Sequence, residues 1–168
     1  MSFTEGSYEK ALIALFENLG YQHQYGPNIE RDYYVPFYEE QLIESLTTIN
    51  YGKPRPAIDE AISKLKDIEI GSLPQRNELF MDYLQHGIEV SFFDGKEQRN
   101  DIIYLIDYND KNIKRNDFKV INQWTFVENS EKRADIILFV NGLPLVVIEL
   151  KSPSREETNV SEAYLQLR

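Results

Sequence analysis

Apolar positions recur at helical spacing through the first half of the chain. The period predicts helices over about residues 7–19, 39–50, 57–68 and 73–85. Gly20 follows the first helix at the position of a C-terminal cap, and Pro54 and Pro56 introduce the third. Residues 21–36 are rich in Tyr, Asn, Gly and Pro and follow no clear period. The first half is therefore predicted to be mainly helical.

From Gly87 onward the pattern changes to short β-branched and aromatic runs separated by turn residues. These runs predict strands over residues 88–93, 102–107, 119–126, 134–140 and 144–150, with a turn at 94–97. The pair Asn141 and Gly142 between two apolar runs is a strong signal for a tight β-hairpin. Together the two halves predict an α/β fold in which helices flank a mixed β-sheet.

Length and composition favour one soluble domain over residues 1–168, because 42% apolar content is enough for a proper core. No run of eighteen apolar residues and no basic-then-apolar leader occurs, so neither a membrane span nor a signal peptide is expected. The sequence has no Cys, which excludes disulfides and thiolate metal sites and fits a cytoplasmic location.

The net charge of −10 argues against strong binding of nucleic acid by this chain itself. The densest basic cluster is formed by Lys111, Lys114, Arg115 and Lys119, and a solvated connector is the simpler interpretation of it. If the substrate is DNA, other domains are expected to deliver it.

Chemistry-bearing residues gather in the predicted hairpin. Asp135 begins one strand, and Glu149 and Lys151 lie near the end of the returning strand, two positions apart and hence on one face. Folding at Asn141 and Gly142 places Asp135 opposite about position 148 and beside Glu149. Two carboxylates suit Mg²⁺, and the neighbouring ammonium could assist an attacking water.

A plain alternative is that these acids lie on a solvated strand face. The apolar neighbours Val146, Val147, Ile148 and Leu150 make that less attractive, because they indicate a buried strand. An unpaired buried Glu would cost several kcal/mol, which a shared divalent cation would offset.

The arrangement of Asp135, Glu149 and Lys151 resembles the site of the PD-(D/E)xK nuclease superfamily. Residues 133–151 as a whole, with the turn Asn-Gly-Leu-Pro-Leu-Val, resemble more specifically the N-terminal nuclease domain of the restriction subunit of type I restriction-modification enzymes. The resemblance implies a restriction-endonuclease-like fold, with Asp135 and Glu149 as Mg²⁺ ligands and Lys151 as a catalytic residue. The implied activity is endonucleolytic cleavage of double-stranded DNA.

The resemblance extends to further positions. The family carries an Asn-Gln pair that Asn122 and Gln123 match, and Gln166 matches the first residue of a Gln-x-x-x-Tyr motif of the RecB-like branch. The Tyr of that motif would fall beyond Arg168. Gln123 and Gln166 are the DNA-positioning candidates, and Glu9 on the first helix matches an additional metal ligand. His23 and His86 lie outside any ligand spacing and are expected at the surface or in turns.

The full-length subunit of this family continues into an ATP-driven motor and assembles with methyltransferase and specificity subunits. This chain has no Gly-x-x-x-x-Gly-Lys-Ser/Thr loop, so ATP is expected to act only in the full-length subunit. The final helical run stops without a cap, which suggests a fragment of a longer chain. Two alternatives remain: a non-catalytic docking domain that contacts the motor or methyltransferase, and a stand-alone nuclease for nicked or branched DNA.

Overall fold

The computed structural model describes residues 5–68 and 71–151. Four α-helices and six β-strands are found in this part of the chain: α1 Glu5–Asn18, β1 Gln22–Tyr25, α2 Glu39–Ile49, α3 Arg55–Lys66, α4 Leu73–His86, β2 Ile88–Phe93, β3 Gln98–Ile103, β4 Phe118–Val127, β5 Glu131–Val140 and β6 Leu143–Ile148. No helix among these residues is long and apolar enough to cross a membrane.

The contacts divide the chain into two compact units. Of the described residues, 5–38 and 118–151 form the first, here called the sheet unit, and 39–68 with 71–117 form the second, here called the insert unit. The insert unit therefore interrupts the sheet unit in sequence. Folding of residues 1–168 as a single domain stays a prediction.

The sheet unit contains four strands in the order β1-β4-β5-β6. β1 runs parallel to β4, whereas β4, β5 and β6 follow one another antiparallel. The predicted α/β class with a mixed sheet is confirmed. Strand β1 was not predicted from the sequence, because its residues, Gln-His-Gln-Tyr, show no apolar alternation. Parallel pairing of Gln22–Tyr25 with residues 119–122 of β4 forms this strand.

Residues of β4 and β5 supply two separate apolar cores, as expected for a sheet that is covered on both faces. Helix α1 contributes Ile13 to one of these cores, which also contains Val120, Ile136 and Leu138. The other core contains Ile121, Trp124, Ala134, Ile137 and Phe139. Arg31 packs against the Trp124 side of this second core. Its guanidinium lies 3.4 Å from the Trp124 ring centre and donates a hydrogen bond to the Thr125 carbonyl. Burial lowers the pKa of Arg31, against the charges of Tyr33 and Asp32.

The insert unit consists of α2, α3, α4 and the β2–β3 hairpin. The helices predicted over residues 39–50, 57–68 and 73–85 are confirmed to within two residues at each end. The predicted start of β3 at Ile102 was wrong, because the turn at Asp94 to Glu97 pairs Phe93 with Gln98 and begins the strand four residues earlier. The strand starts with exposed polar residues, so its pairing, rather than an apolar run, defines it.

Candidate functional site

The β5–β6 hairpin turns at the predicted pair. Asn141 and Gly142 both have positive φ, 53° and 80°, and Val140 pairs with Leu143 across the turn. Two consecutive left-handed residues are what a two-residue hairpin loop with the normal strand twist requires. The predicted hairpin is therefore confirmed.

A β-bulge changes the predicted register by one residue. Phe139 pairs with Pro144, but Leu138 pairs with Val146, so Leu145 is the extra residue on β6. Pro144 has no N–H to donate to the ladder, and bulges are where strands accommodate proline. The last regular pair is Ile136 with Ile148, so the next positions in line are Asp135 and Glu149. The predicted position opposite Asp135, about 148, thus differs by one residue from the position in line with it, whereas the predicted proximity of Asp135 to Glu149 is confirmed.

The bulge matters because side chains alternate between faces. Opposite residues of an antiparallel pair share a face, and a one-residue slip exchanges the faces. Without the extra Leu145, Asp135 would lie opposite Ile148 and away from Glu149. The bulge therefore brings the two acids together.

The two carboxyl groups do interact. Asp135 Oδ2 accepts a hydrogen bond of 2.7 Å from the backbone N–H of Leu150, which fixes it beside the end of β6. Burial raises the pKa of Glu149 first, and the negative charge of Asp135 and a side-chain hydrogen bond with it raise it further. The charge of Lys151 opposes both effects, so the three predicted residues share one electrostatic environment.

The surroundings of the site are less buried than the apolar sequence suggested. Val146 and Val147 are 45% and 42% exposed, because β6 is the last strand of the sheet in the described part of the chain. Ile148, Glu149, Leu150 and Lys151 are each half-buried. The acids thus lie at an accessible sheet edge and are still partly removed from water.

Glu9 is held by two side-chain amides of β4. Its Oε1 accepts from Asn122 Nδ2 at 2.6 Å, and its Oε2 accepts from Gln123 Nε2 at 2.9 Å. Asn122 Oδ1 in turn lies 2.9 Å from Nε2 of His23 on β1. The structure therefore joins Glu9, which was predicted as a metal ligand, to Gln123, which was predicted to position DNA. The role of each stays a prediction.

His23 is the residue that sequence reasoning missed in this network. It is exposed, as expected, but its ring contacts Asn122 across the β1–β4 pair. Parallel pairing of β1 with β4 creates that contact, and no local signal marks β1 as a strand. The four residues His23, Asn122, Gln123 and Glu9 are called the amide network below.

The donor set fits a hard divalent cation. Two adjacent carboxylates, one of them with a raised pKa, repel each other, and an oxygen-bound Mg²⁺ would neutralise that repulsion. Within residues 5–68 and 71–151 no group of three His, Asp or Glu side chains gathers at a possible metal position. The other donors to Mg²⁺ would then be water and phosphate oxygens, as is usual for this ion.

Two other predictions fall elsewhere. Gln166 and the helix around it lie outside the described residues. The basic cluster divides: Lys111, Lys114 and Arg115 are exposed in the insert unit, whereas Lys119 is 4% exposed on β4 of the sheet unit.

Comparison with known proteins covers nearly the whole sequence. Residues 2–168 match the family described as "Type I restriction enzyme R protein N terminus". The match includes residues 22–86, where the sequence alone showed little resemblance to any family.

Curated relatives carry matching names. The type I restriction enzyme HindI endonuclease subunit of Haemophilus influenzae is 30% identical over 96% of this chain. The type I restriction enzyme EcoprrI endonuclease subunit of Escherichia coli is 30% identical over 98% of it. A putative type I restriction enzyme endonuclease subunit, MjaIXP, of Methanocaldococcus jannaschii is 28% identical over 89%. The chain spans 16%, 48% and 15% of the lengths of these relatives, respectively.

Proposed function

Because this chain belongs to the family of type I restriction enzyme R protein N termini, we propose that it is the nuclease domain that cuts double-stranded DNA with Mg²⁺. Its site is the pair Asp135 and Glu149 with Lys151. The observation that carries the proposal is the contact of the two acids across the bulged β5–β6 hairpin.

The raised pKa of Glu149 supports a binding role for the pair. A surface acid has no reason to approach a second acid, since each destabilises the charged form of the other. Such an arrangement is typical of sites where a cation or a reacting group is bound. Asp135 and Glu149 would hold the Mg²⁺.

Lys151 and the backbone of β6 complete the chemistry. Bound Mg²⁺ would supply Lewis-acid polarisation of the scissile phosphate and a lowered pKa of water. Lys151 would place its ammonium against the phosphate or the attacking water, where its charge favours the anionic transition state. The Leu150 N–H keeps Asp135 Oδ2 in place, so this carboxylate approaches DNA already oriented.

Delivery of DNA is proposed to depend on the rest of the assembly. The net charge of −10 gives this chain little of the phosphate attraction on which non-specific DNA binding rests. A tethered domain needs little affinity of its own, because tethering raises the local concentration of substrate. We expect methyltransferase and specificity subunits to supply the sequence reading and an ATP-driven motor in the full-length subunit to supply the DNA.

The test is cleavage of plasmid DNA by the full-length subunit, assembled with its partners, in Mg²⁺ and ATP. Asp135→Asn, Glu149→Gln and Lys151→Met should each lower the cleavage rate by about a hundredfold or more. ATP hydrolysis should stay at the wild-type rate, because this chain contains no phosphate-binding loop. Glu131→Gln is the matched control: it removes an exposed acid from the same strand and should leave cleavage unchanged.

The same experiment separates the docking alternative. If the three variants lose cleavage only because they no longer assemble with the partner subunits, the domain is a docking module and its acids are structural. Unchanged cleavage with unchanged assembly would show that the nuclease centre lies elsewhere than at Asp135, Glu149 and Lys151.

A further inference from the structure

The backbone of β4 is irregular at Gln123. Its φ is 56°, a left-handed conformation that a residue with a long side chain rarely adopts. In a regular strand consecutive side chains point to opposite faces, yet Asn122 and Gln123 both reach Glu9. The left-handed residue therefore turns two consecutive side chains toward α1.

The apolar cores show the same irregularity on both strands. Ile121 and Trp124 belong to one core although they are three positions apart, and so do Ala134 and Ile137 on β5. Residues three apart in regular strands lie on opposite faces. The alternation of side chains between the two faces of the sheet is therefore interrupted once in each strand. The interruption lies between Ile121 and Trp124 on β4, where Gln123 is, and between Ala134 and Ile137 on β5, where Asp135 is.

Gln123 occupies the position opposite Asp135. Asn122 pairs with Ile136 and Trp124 pairs with Ala134, so Asp135 is the residue between them on β5. Gly26 packs closely against this point: a Cβ there would lie 2.8 Å from the Gln123 carbonyl oxygen and 2.9 Å from that of Asn122. The left-handed conformation is thus enclosed by neighbouring backbone, with Asp135 on its other side.

We infer that Gln123 is a positioning residue for the candidate nuclease centre. Its hydrogen bond to Glu9 fixes α1 to β4, and this bond together with the left-handed backbone sets the β4–β5 geometry from which Asp135 projects. We call this hydrogen bond between Gln123 and Glu9 the clamp. In it Glu9 is the hydrogen-bond acceptor and is not a metal ligand. The inference rests on the proposed nuclease function, because it assigns Gln123 to the same centre.

The contacts of Glu9 favour a clamp. Both of its oxygens accept amide hydrogens, and the Asn122 amide is oriented by His23 through its own oxygen. Each member of the amide network thereby has a complementary partner. Residues held in sparsely populated conformations persist where surrounding contacts enforce them, and they are common at functional sites.

An exchange of acid and amide tests the clamp. Gln123→Glu would face the Glu9 carboxylate with a second one, whereas Glu9→Gln leaves an amide that Gln123 can match by rotating its own. The double variant, Glu9→Gln with Gln123→Glu, restores one acid and one amide. Measurements use the full-length assembled protein and comprise the cleavage rate, the Mg²⁺ concentration for half-maximal cleavage, and Mn²⁺ binding without DNA by electron paramagnetic resonance.

The expected pattern is a compensated one. Gln123→Glu should weaken Mn²⁺ binding and raise the half-maximal Mg²⁺ concentration by about tenfold, the scale of losses from groups that orient metal ligands. Glu9→Gln and the double variant should stay within about threefold of wild type, and ATP hydrolysis should not change in any of them.

Each other outcome contradicts the inference in a recognisable way. Loss of Mn²⁺ binding in Glu9→Gln and in the double variant would make Glu9 a metal ligand. Wild-type metal dependence in Gln123→Glu would make the amide network structural only. Failure of Asp135→Asn to reduce cleavage would instead overturn the proposed function, whatever the Gln123 variants do.

Gln123→Gly and Gln123→Ala separate backbone from side chain and cover the case in which Gln123→Glu does not fold. Both remove the amide, but only Gly adopts a positive φ without strain. Gln123→Gly should therefore bind Mn²⁺ more tightly than Gln123→Ala. Equal binding by the two would show that the left-handed backbone has no part in positioning.

Discussion

The sheet unit and the insert unit follow the local rules of secondary structure to different degrees. Among the described residues, the two non-glycine positions with positive φ, Gln123 and Asn141, both lie in the sheet unit. The register shift between Leu138 and Phe139 lies there as well. In the insert unit, by contrast, β2 and β3 pair without a break over six residues each.

The polar contacts of the two units differ in the same way. In the insert unit, the Asn50 side chain binds the backbone of Tyr104: it accepts a hydrogen bond from the Tyr104 N–H and donates one to the Tyr104 carbonyl, both at 2.8 Å. These two bonds join the residue that follows α2 to the residue that follows β3. In the sheet unit, Asn122 and Gln123 direct their amides at an acid of α1, beside the candidate site.

The two units therefore differ in how closely they follow local structural preferences. Consistency between local preference and global fold is the ordinary condition of a folded chain, and departures concentrate at functional sites. Gln123 lies opposite Asp135 on β4, and Leu145 shifts the register of β6 on the other side of Asp135. The insert unit departs less from these preferences: β2 and β3 pair regularly, although β3 begins with exposed polar residues.

The largest expected effect comes from removing the main aromatic side chain of the sheet unit. Trp124 is 1% exposed, lies 4.7 Å from the Phe139 ring and supports the Arg31 guanidinium. Trp124→Ala should destabilise the protein by about 3–5 kcal/mol. Amide hydrogen exchange, measured separately over residues 118–151 and 39–117, would report this loss of stability in each unit.

Leu46→Ala is the matched core deletion in the insert unit, where Leu46 is 0% exposed, and should cost about 2–5 kcal/mol. If residues 1–168 unfold as one domain, each substitution should accelerate slow exchange in both units. Acceleration confined to the substituted unit would show that the two unfold separately, and the single-domain prediction would then be wrong.

A smaller effect is expected where the backbone itself is crowded. Gly26→Ala would force its Cβ against the carbonyls of Asn122 and Gln123, and an overpacked site of this kind costs about 1–3 kcal/mol. Because those carbonyls belong to the irregular part of β4, Mn²⁺ binding should weaken as well. Thermal unfolding and Mn²⁺ titration measure the two effects.

Gly52→Ala provides the contrast in the insert unit. Gly52 has φ +86° and nothing within 4 Å of an added Cβ, so its substitution is strained without being crowded. It should cost about 1 kcal/mol and leave Mn²⁺ binding unchanged. Equal weakening of Mn²⁺ binding by both substitutions would mean that the effect follows stability and not position.

The sequence predicted the β5–β6 hairpin but not the bulge within it. Asp135, Glu149 and Lys151 could be assigned because the pair Asn141 and Gly142 specifies a hairpin from local preference alone. The extra residue at Leu145 could not be counted in advance, since a bulge depends on how both strands pair. The expected proximity of Asp135 and Glu149 therefore holds, although the register that produces it differs by one residue.

Long-range contacts account for what the sequence did not reveal. Glu9 and Gln123 are separated by 114 positions, and no period or motif relates them. The strand β1 exists because β4 offers a parallel partner, which its polar residues do not signal. Resemblance to a family did point to Asn122 and Gln123. That both side chains donate to Glu9 on α1 could be found only from the folded structure.

The smallest expected effect is an acid-dependent one in the insert unit. The hydrogen bond from Lys53 lowers the pKa of Asp101 below its usual value of 3.8, and the Ile102 N–H lowers it further, against a small effect of burial. A carboxylate with a lowered pKa stabilises the folded state above its unfolded pKa and loses that contribution as the pH falls through the folded one. Asp101→Asn should therefore lower stability at pH 7 by about 0.2–1 kcal/mol, a partly exposed ion pair being worth no more.

The difference between wild type and Asp101→Asn should shrink once the pH falls below about 3.8, the ordinary pKa of the group. Asn keeps an oxygen that can accept the hydrogen bond from the Ile102 N–H. The substitution therefore removes only the negative charge that pairs with Lys53. In Lys53→Met the same substitution should have little effect at any pH, as thermal unfolding from pH 3 to pH 7 would measure. A difference that persists unchanged in acid, or that survives in Lys53→Met, would show that the stabilising effect of Asp101 does not come from its ion pair with Lys53.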